Sequence, residues 1–292
     1  MNEESLMRSR IRKILMICSN YDAFALEEDG RIENQVKNEY RELNLSNPPK
    51  FIWANSSAQA RDIIGSEEDI DMIICMYNEQ DKEIFPFASR LKDEGRGIPF
   101  ILLIHYSKAV RQRVLESPHP GVDFVFSWHG NADLILAIVK LLEDAANAEN
   151  DVFEVGVKGI LLVEDSIRYY SNYLPELYKI VLTQSREFLT ESLNDDQKKY
   201  RKRSRPKIFL ATCLEEAIAY FEKYRRNLLG VISDVGMVFH KGDDPKTEKL
   251  DAGIDLVRII REYDPLMPVL LQSSQGSLAK TAGGLGGGLT LG

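Results

Sequence analysis

The chain has 292 residues, which is enough for about two domains of ordinary size. Apolar residues make up 44% and charged residues 28%, a balance typical of globular proteins rather than disordered or fibrous ones. The net charge of −8 argues against a reader of duplex nucleic acid, because such proteins usually carry a basic surface. No run of about 18 apolar residues and no apolar signal segment is present, so the sequence predicts a cytoplasmic protein without a membrane span. Three cysteines, far apart in the chain, fit neither a disulfide framework nor a zinc cluster.

The first half of the chain alternates short apolar runs with amphipathic stretches. Such runs predict strands that are buried on both faces of a parallel sheet. The predicted strands are 13–19, 50–54, 71–76, 99–104 and 124–126. The predicted helices are 30–43, 57–64, 81–94, 107–116 and 131–146. Strands that alternate with helices favour a doubly wound α/β domain.

The same alternation starts again in the second half. The predicted strands are 159–163, 207–211, 228–233 and 268–272. The predicted helices are 166–193, which Pro175 should bend, 214–224 and 253–262. We therefore expect two flavodoxin-like α/β domains in tandem, each with a five-stranded parallel sheet. The predicted organisation is an N-terminal arm at 1–10, a first domain at 11–147, a linker at 148–157 and a second domain at 158–292.

The end of the chain is unusually rich in glycine. Seven glycines lie between Gly276 and Gly292, where a closing helix and strand are expected. Because glycine weakens both elements, this segment gives no signal for either. We therefore expect the native chain to continue beyond this segment or to differ from it.

Acidic side chains follow two predicted strands of the second half. Glu164 and Asp165 come directly after its first strand, Asp234 follows its third strand, and Ser273 follows its fourth. The carboxyl ends of neighbouring parallel strands meet at one crevice, so these side chains should lie close together. Crowded carboxylates repel one another, and a hard divalent cation such as Mg²⁺, which prefers oxygen ligands, would neutralise them. Any one of these acids alone is more simply a helix cap, but three of them on the appropriate strands favour a site.

Three motifs in the second half resemble the receiver domain of two-component response regulators. The resemblance covers about 158–275. The motifs are Leu-Leu-Val-Glu164-Asp165-Ser, Val-Ile-Ser-Asp234-Val-Gly-Met237 and Pro268-Val-Leu-Leu-Gln-Ser273-Ser.

This resemblance implies a set of roles for the matched residues. Asp234 would be the phosphoacceptor, and Asp165, Asp234 and the carbonyl of Gly236 would bind Mg²⁺, with Glu164 assisting through water. Ser273 would supply the switch hydroxyl that hydrogen-bonds the phosphoryl group. The phosphoryl group would come from a histidine kinase or a phosphotransfer protein, and the response would pass to a downstream output domain or a homodimer. Such a domain is a phosphoacceptor and not an independent enzyme.

The second half departs from the receiver pattern in three places. The lysine expected at the end of strand five falls at or beyond Gly292, within the glycine-rich tail. The loop at 238–252 after Asp234 is longer than in a typical receiver. The basic run 198–207 is also atypical; it could contact an anionic partner, but a solvated helix end is the favoured interpretation.

A narrower resemblance covers the long first helix of the second half. The stretch Gly-Ile-Leu-Leu-Val-Glu-Asp-Ser-Ile-Arg-Tyr-Tyr-Ser-Asn-Tyr-Leu-Pro-Glu-Leu-Tyr, which begins at Gly159, is similar to the receiver region ahead of phosphoenolpyruvate synthase/pyruvate phosphate dikinase-like domains. No dikinase catalytic motif is present in the chain. The likeness therefore implies at most a regulatory front end of a larger protein.

The first half is interpreted as a receiver-like domain without phosphotransfer chemistry. Met76 stands at the acceptor position, and Cys18-Ser19-Asn20 replaces the acidic pair. Ser127 or Trp128 occupies the lysine position. Asp22 and Asp81 are nearby carboxylates, and both are predicted to cap helices.

Three functions remain open at this point. The first is a phospho-accepting signalling receiver with a degenerate companion domain, which the acidic triad favours. The second is a vestigial or regulatory N-terminal module of a larger phosphoenolpyruvate synthase/pyruvate phosphate dikinase-like protein, which the missing lysine favours. The third, a free-standing hydrolase or phosphotransferase, is weakest because no general acid or water-activating base is evident beside Asp234.

Overall fold

The protein forms two compact α/β units. The computed structural model describes residues 6–19, 32–42, 45, 47–66, 69–105, 114, 119–187 and 204–272. One unit comprises 10–139 together with 171–176, and the other comprises the remaining N-terminal residues, 140–170 and the chain from 177 onward. Within the described part of the chain, no helix is long and apolar enough to cross a membrane.

The first unit is built on a five-stranded parallel sheet. Its strands are β1 (Lys13–Ile17), β2 (Lys50–Ala54), β3 (Met72–Met76), β4 (Phe100–His105) and β5 (Phe124–Trp128). Its described helices are α1 (Ile32–Glu42), α2 (Ser57–Ser66) and α3 (Ile84–Asp93), and α4 (Ala132–Glu149) follows β5. The strand order is β2-β1-β3-β4-β5, which is the flavodoxin-like order. The apolar runs form buried strands here because helices cover both faces of such a sheet.

The second unit repeats this order over four described strands. They are β6 (Gly159–Val163), β7 (Lys207–Ala211), β8 (Leu228–Asp234) and β9 (Val269–Gln272), arranged as β7-β6-β8-β9. Its helices are α5 (Ile167–Glu187), α6 (Leu214–Tyr224) and α7 (Ala252–Tyr263). The chain order reverses between β6 and β8, so the topological switch point lies between these two strands.

The nine strands expected from the apolar runs are all present, each within a few residues of its predicted bounds. The fifth strand expected in the second unit falls after 272, outside the described residues. The helix predicted at 107–116 also falls almost wholly outside them. Pro175 lies inside α5, which is one helix from Ile167 to Glu187.

The segment 148–157, expected to be a linker, is mostly helical. Helix α4 continues to Glu149, and a π-helical turn follows at Asn150–Glu154. Ala148, Asp151 and Val152 are buried. The small and acidic residues that suggested a linker are part of a helical segment, because Ala and Glu are also good helix formers.

A buried ion cluster connects the end of α4 with the start of β7. The Asp144 carboxylate accepts hydrogen bonds of 2.9 and 2.8 Å from the Arg205 guanidinium and of 2.9 Å from the Tyr178 hydroxyl. The backbone N–H of Ile208 adds a fourth bond of 3.0 Å. Burial raises the pKa of Asp144, but the charges of Arg205 and Lys207 outweigh it, so the net pKa is lowered and the carboxylate is ionised.

The same cluster extends to a second buried carboxylate. Lys207 Nζ lies 2.7 Å from Asp151 Oδ2 and 3.6 Å from Asp144 Oδ1, with no exposed side-chain surface on any of the three. The backbone N–H of Met7 donates to the Asp151 carboxylate at 3.2 Å. Arg205 and Lys207 belong to the basic run that was interpreted as a solvated helix end, and for these two residues that interpretation is wrong. They neutralise two buried carboxylates.

The Asp144→Asn variant tests this cluster. It leaves the buried Arg205 without its carboxylate, so we expect the free energy of unfolding of this unit to fall by about 3–5 kcal/mol. The measurement is urea unfolding followed by circular dichroism. The matched control is Glu149→Gln, which breaks a 2.6 Å ion pair with Lys223 on the exposed side of α4 and should change little. Equal effects of the two variants would contradict a structural role for the buried cluster.

Candidate functional site

The candidate site lies at the carboxyl ends of β6 and β8. These strands are paired in parallel, and the last aligned residues are Val163 and Ser233. Glu164, Asp165 and Asp234 follow at that edge, and each offers a carboxylate oxygen that lies within 4.8 Å of the other two. The structure therefore brings together the three acidic residues that the sequence placed at one crevice.

Asp234 is the last residue of β8 and is half-buried. Its Oδ1 accepts a hydrogen bond of 2.7 Å from the N–H of Val235. The N–H of Gly253, in the first turn of α7, donates to the carbonyl of Val235 at 2.8 Å. A β-carbon on Gly253 would stand 2.2 Å from the carbonyl oxygen of Asp234, so only glycine permits this close approach of α7.

Glu164 is the most buried member of the triad, with 2% of its surface exposed. Its Oε1 accepts a hydrogen bond of 3.1 Å from the N–H of Ser166, the residue before α5. Burial and the neighbouring charge of Asp234 raise the pKa of Glu164 to about 8. Without a cation, this carboxyl group is therefore mostly protonated at neutral pH.

The pKa of Asp234 is raised less, to about 6, chiefly by burial. The hydrogen bond from Val235 opposes this rise, while the charges of Asp165 and Glu248 add to it. Asp234 is thus mostly ionised at neutral pH and keeps an oxygen lone pair for nucleophilic attack.

Asp165 connects the site to the long loop between β8 and α7. Its Oδ2 accepts a hydrogen bond of 3.1 Å from the N–H of Val238. The carbonyls of Val238 and Phe239 in turn accept bonds of 3.1 and 3.0 Å from the N–H groups of Leu214 and Glu215, at the start of α6. The loop is therefore fixed on one side to a carboxylate of the triad and on the other to the first turn of a helix.

A fourth carboxylate, Glu248, was not expected from the sequence. It lies on the same loop, and a β-carbon on Gly236 would come within 2.2 Å of its Oε1. Its charge contributes to the raised pKa of both Glu164 and Asp234. The length of the loop was the only sequence signal, because thirteen residues lie between Asp234 and Glu248 and nothing in their order shows that the chain returns to the site.

Two predicted site residues remain to be placed. Gly236 lies two residues after Asp234, is buried and is close to Glu248. The role of its carbonyl as a ligand stays a prediction. Ser273 lies outside the described residues, as does the position expected for the strand-five lysine.

The corresponding edge of the first unit carries different chemistry. Ile17 aligns with Cys75 there, as Val163 aligns with Ser233 in the second unit, so Met76 stands where Asp234 does. Asp81 accepts hydrogen bonds of 2.8 Å from the N–H and hydroxyl of Ser57 at the start of α2, which confirms its predicted role as a helix cap. Within the described ranges, the triad of the second unit is the one acidic cluster with metal-ligand spacing.

The donor set of the triad suits a hard divalent cation. All three side chains offer carboxylate oxygens, which Mg²⁺ prefers, and no sulfur or imidazole ligand is among them. Burial and, to a lesser extent, the neighbouring carboxylates raise the pKa values of Glu164 and Asp234, and a cation would favour the ionised forms of both groups.

Comparison with known proteins gives weak similarities only. The chain matches no protein-family model and no curated protein. Two solved structures of two-component system response regulator/GGDEF domain proteins are each 17% identical over 96% of this chain and 91% of theirs, with TM-scores of 0.37 and 0.35. GanP, a glucose-galactose binding protein from Geobacillus stearothermophilus, is 12% identical over 95% of this chain and 83% of its own, with a TM-score of 0.24. The strand order and the positions of the carboxylates say more about the site than these similarities do.

The Gly253→Ala variant tests the close approach of α7 to Asp234. The added methyl group would overlap the backbone of Asp234 and Val235, so we expect a loss of about 1–3 kcal/mol in the free energy of unfolding and faster amide exchange at the end of β8. The control is Gly65→Ala in α2, where a β-carbon meets nothing within 4 Å. This change should be neutral or stabilise by about 0.5–1 kcal/mol. A neutral Gly253→Ala would show that α7 does not constrain Asp234.

The Glu164→Gln variant tests the protonation of the buried carboxyl group. A folded-state pKa above the unfolded-state value means that the folded protein binds the extra proton, so stability is present at low pH and lost as the pH rises toward about 8. In divalent-free buffer, wild type should therefore lose about 3–4 kcal/mol more stability than Glu164→Gln between pH 5 and pH 8. Amide exchange in β6 at the two pH values gives the comparison. A parallel pH dependence in the two proteins would contradict the raised pKa.

Proposed function

We propose that the second unit is a Mg²⁺-dependent phosphoacceptor domain of the receiver type and that Asp234 is the phosphorylated residue. The observation that carries the proposal is the acidic triad at the topological switch point, where ligands bind in open α/β sheets. The motifs around Glu164, Asp165 and Asp234 resemble those of response-regulator receivers, and their spacing in the fold is compatible with that resemblance.

In this mechanism the Asp234 carboxylate is the nucleophile. One of its oxygens attacks the phosphorus of a phosphohistidine or a small acyl phosphate, and the bond from phosphorus to the leaving group breaks as the new bond forms. The leaving imidazole or carboxylate takes the electron pair of that bond. The hydrogen bond from Val235 to Oδ1 leaves the other carboxylate oxygen, Oδ2, as the attacking atom.

The acidic residues around Asp234 have distinct tasks in the proposal. Asp165, Asp234 and the Gly236 carbonyl would hold the ion, with Glu164 acting through water. When bound, Mg²⁺ supplies positive charge that offsets the phosphoryl oxygens and the carboxylates. Glu164 gives up its proton when the site is occupied, because a nearby cation favours the ionised form.

The remaining roles rest on the resemblance. Ser273 would donate its hydroxyl to the phosphorylated product, and the donor of the phosphoryl group would be a histidine kinase or a phosphotransfer protein. The first unit would serve as a companion without a phosphoacceptor, because Met76 has no oxygen that could attack phosphorus. Its role would be to interact with another copy of itself or with the second unit.

A beryllofluoride experiment tests the proposal. Beryllofluoride mimics the phosphoryl group on an aspartate, so wild type with Mg²⁺ should give a bound signal in fluorine NMR. Asp234→Asn should abolish the signal because the nucleophilic oxygen is lost, and Asp165→Asn should abolish or greatly weaken it because the ion is lost. Glu262→Gln, which changes an exposed glutamate near the end of α7, is the control and should leave the signal unchanged.

A signal that survives in Asp234→Asn would refute the assignment of the acceptor. No signal in wild type, with Mg²⁺ in excess and an active receiver tested in parallel, would favour the alternative function. In that case the unit would be a vestigial or regulatory module. This alternative follows from the similarity of the stretch that begins at Gly159 to the receiver region ahead of phosphoenolpyruvate synthase/pyruvate phosphate dikinase-like domains.

A further inference from the structure

The loop between β8 and α7 returns to the site by a specific backbone contact. Met237 and Lys249 form an antiparallel bridge, with N–H···O distances of 3.2 and 3.0 Å. The chain thus leaves Asp234, runs outward and comes back opposite Met237. Glu248, the residue before the returning strand of the bridge, is thereby set beside Gly236.

Glu248 is exposed, and the lysine next to it in the chain has other partners. Lys249 is directed to Asp255 and Asp251 and not to Glu248. Among the described residues, no lysine, arginine or histidine forms an ion pair with Glu248. Glu248 is therefore a carboxylate beside Gly236 that no described cationic side chain neutralises.

We infer that Glu248 is a positioning residue of the cation centre and holds the bound ion through the water shell of that ion. The inference rests on the proposed function and adds a residue to it. Glu248 stands outside the group whose oxygens lie within 4.8 Å of one another, so it does not complete the inner ligand set. Mg²⁺ retains several waters in protein sites, and a carboxylate beside the inner ligands can accept hydrogen bonds from them.

The long loop between β8 and α7 would be held by the ion through both of its ends. Val238 is already fixed to Asp165 by its N–H, and Glu248 would fix the returning strand to the same ion. Both strands of the Met237–Lys249 bridge would then depend on whether the ion is present. Ion binding should therefore order the loop from both ends, and Glu248 should be responsible for the ordering at the returning end.

The test is binding of Mn²⁺ to the whole chain, measured from the free-ion signal in electron paramagnetic resonance. Wild type should bind one ion, and Glu248→Gln, which keeps the size of the side chain and removes its charge, should bind it about 10-fold more weakly. Glu248→Asp keeps the charge and should recover part of the loss. The matched control is Glu262→Gln, an exposed glutamate at the far end of α7, which should bind as wild type does.

A second readout separates positioning from a general effect of charge. Mn²⁺ is paramagnetic, so amide exchange is followed with Mg²⁺, which should slow the exchange of the Met237 and Lys249 amides in wild type. In Glu248→Gln at saturating Mg²⁺, the Lys249 amide should lose most of this protection, while the Val238 amide, held by Asp165, keeps it.

The two kinds of variant distinguish failure of the Glu248 role from failure of the proposed cation site. Unchanged Mn²⁺ affinity in Glu248→Gln, together with lost binding in Asp165→Asn, would overturn this inference and leave the proposed function standing. Tighter binding in Glu248→Gln would also overturn it, since Glu248 would then hinder the ion. Unchanged affinity in both variants would instead count against the proposed cation site itself.

Discussion

The repulsion among carboxylates at the ends of β6 and β8 is the constraint on which the site depends. The strand order places these two ends side by side, so Glu164, Asp165 and Asp234 cannot avoid one another. Burial, reinforced by the charge of Asp234, raises the pKa of Glu164 to about 8. A fold that was selected only for stability has no reason to keep such an arrangement, because apolar residues would fill the same space without the cost of burying charge.

The same unit contains a second group of buried carboxylates, whose charges are neutralised by lysine and arginine side chains. Asp144 is fully buried, but Arg205 and Lys207 lower its pKa and four hydrogen bonds satisfy its oxygens. The cluster around Asp144 therefore has its counter-charges built into the chain. Among the described residues, no lysine, arginine or histidine forms an ion pair with Glu164 or Asp234, and a bound cation would supply their counter-charge.

Much of this structure could be predicted from the sequence, because the strands and the triad depend on local signals. Apolar runs mark the buried strands, and the acids directly after β6 and β8 are fixed at the switch point by the parallel topology alone. The wrong predictions share one cause, which is contact between residues that lie far apart in the sequence. Asp151 resembled part of a polar linker and Lys207 part of a solvated basic run, yet each is the ion partner of the other across 56 positions of sequence. Glu248 was missed for the same reason, since only the bridge between Met237 and Lys249 brings it to the site.

The central claim is that Asp234 accepts a phosphoryl group, and locating the modified residue tests it most directly. The protein is incubated with acetyl phosphate and Mg²⁺, the aspartyl phosphate is reduced with borohydride to homoserine, and the peptides are identified by mass spectrometry. The account predicts homoserine at position 234 only, with none when Mg²⁺ is replaced by a chelator. Homoserine at another aspartate, or a Mg²⁺-independent yield at position 234, would contradict it.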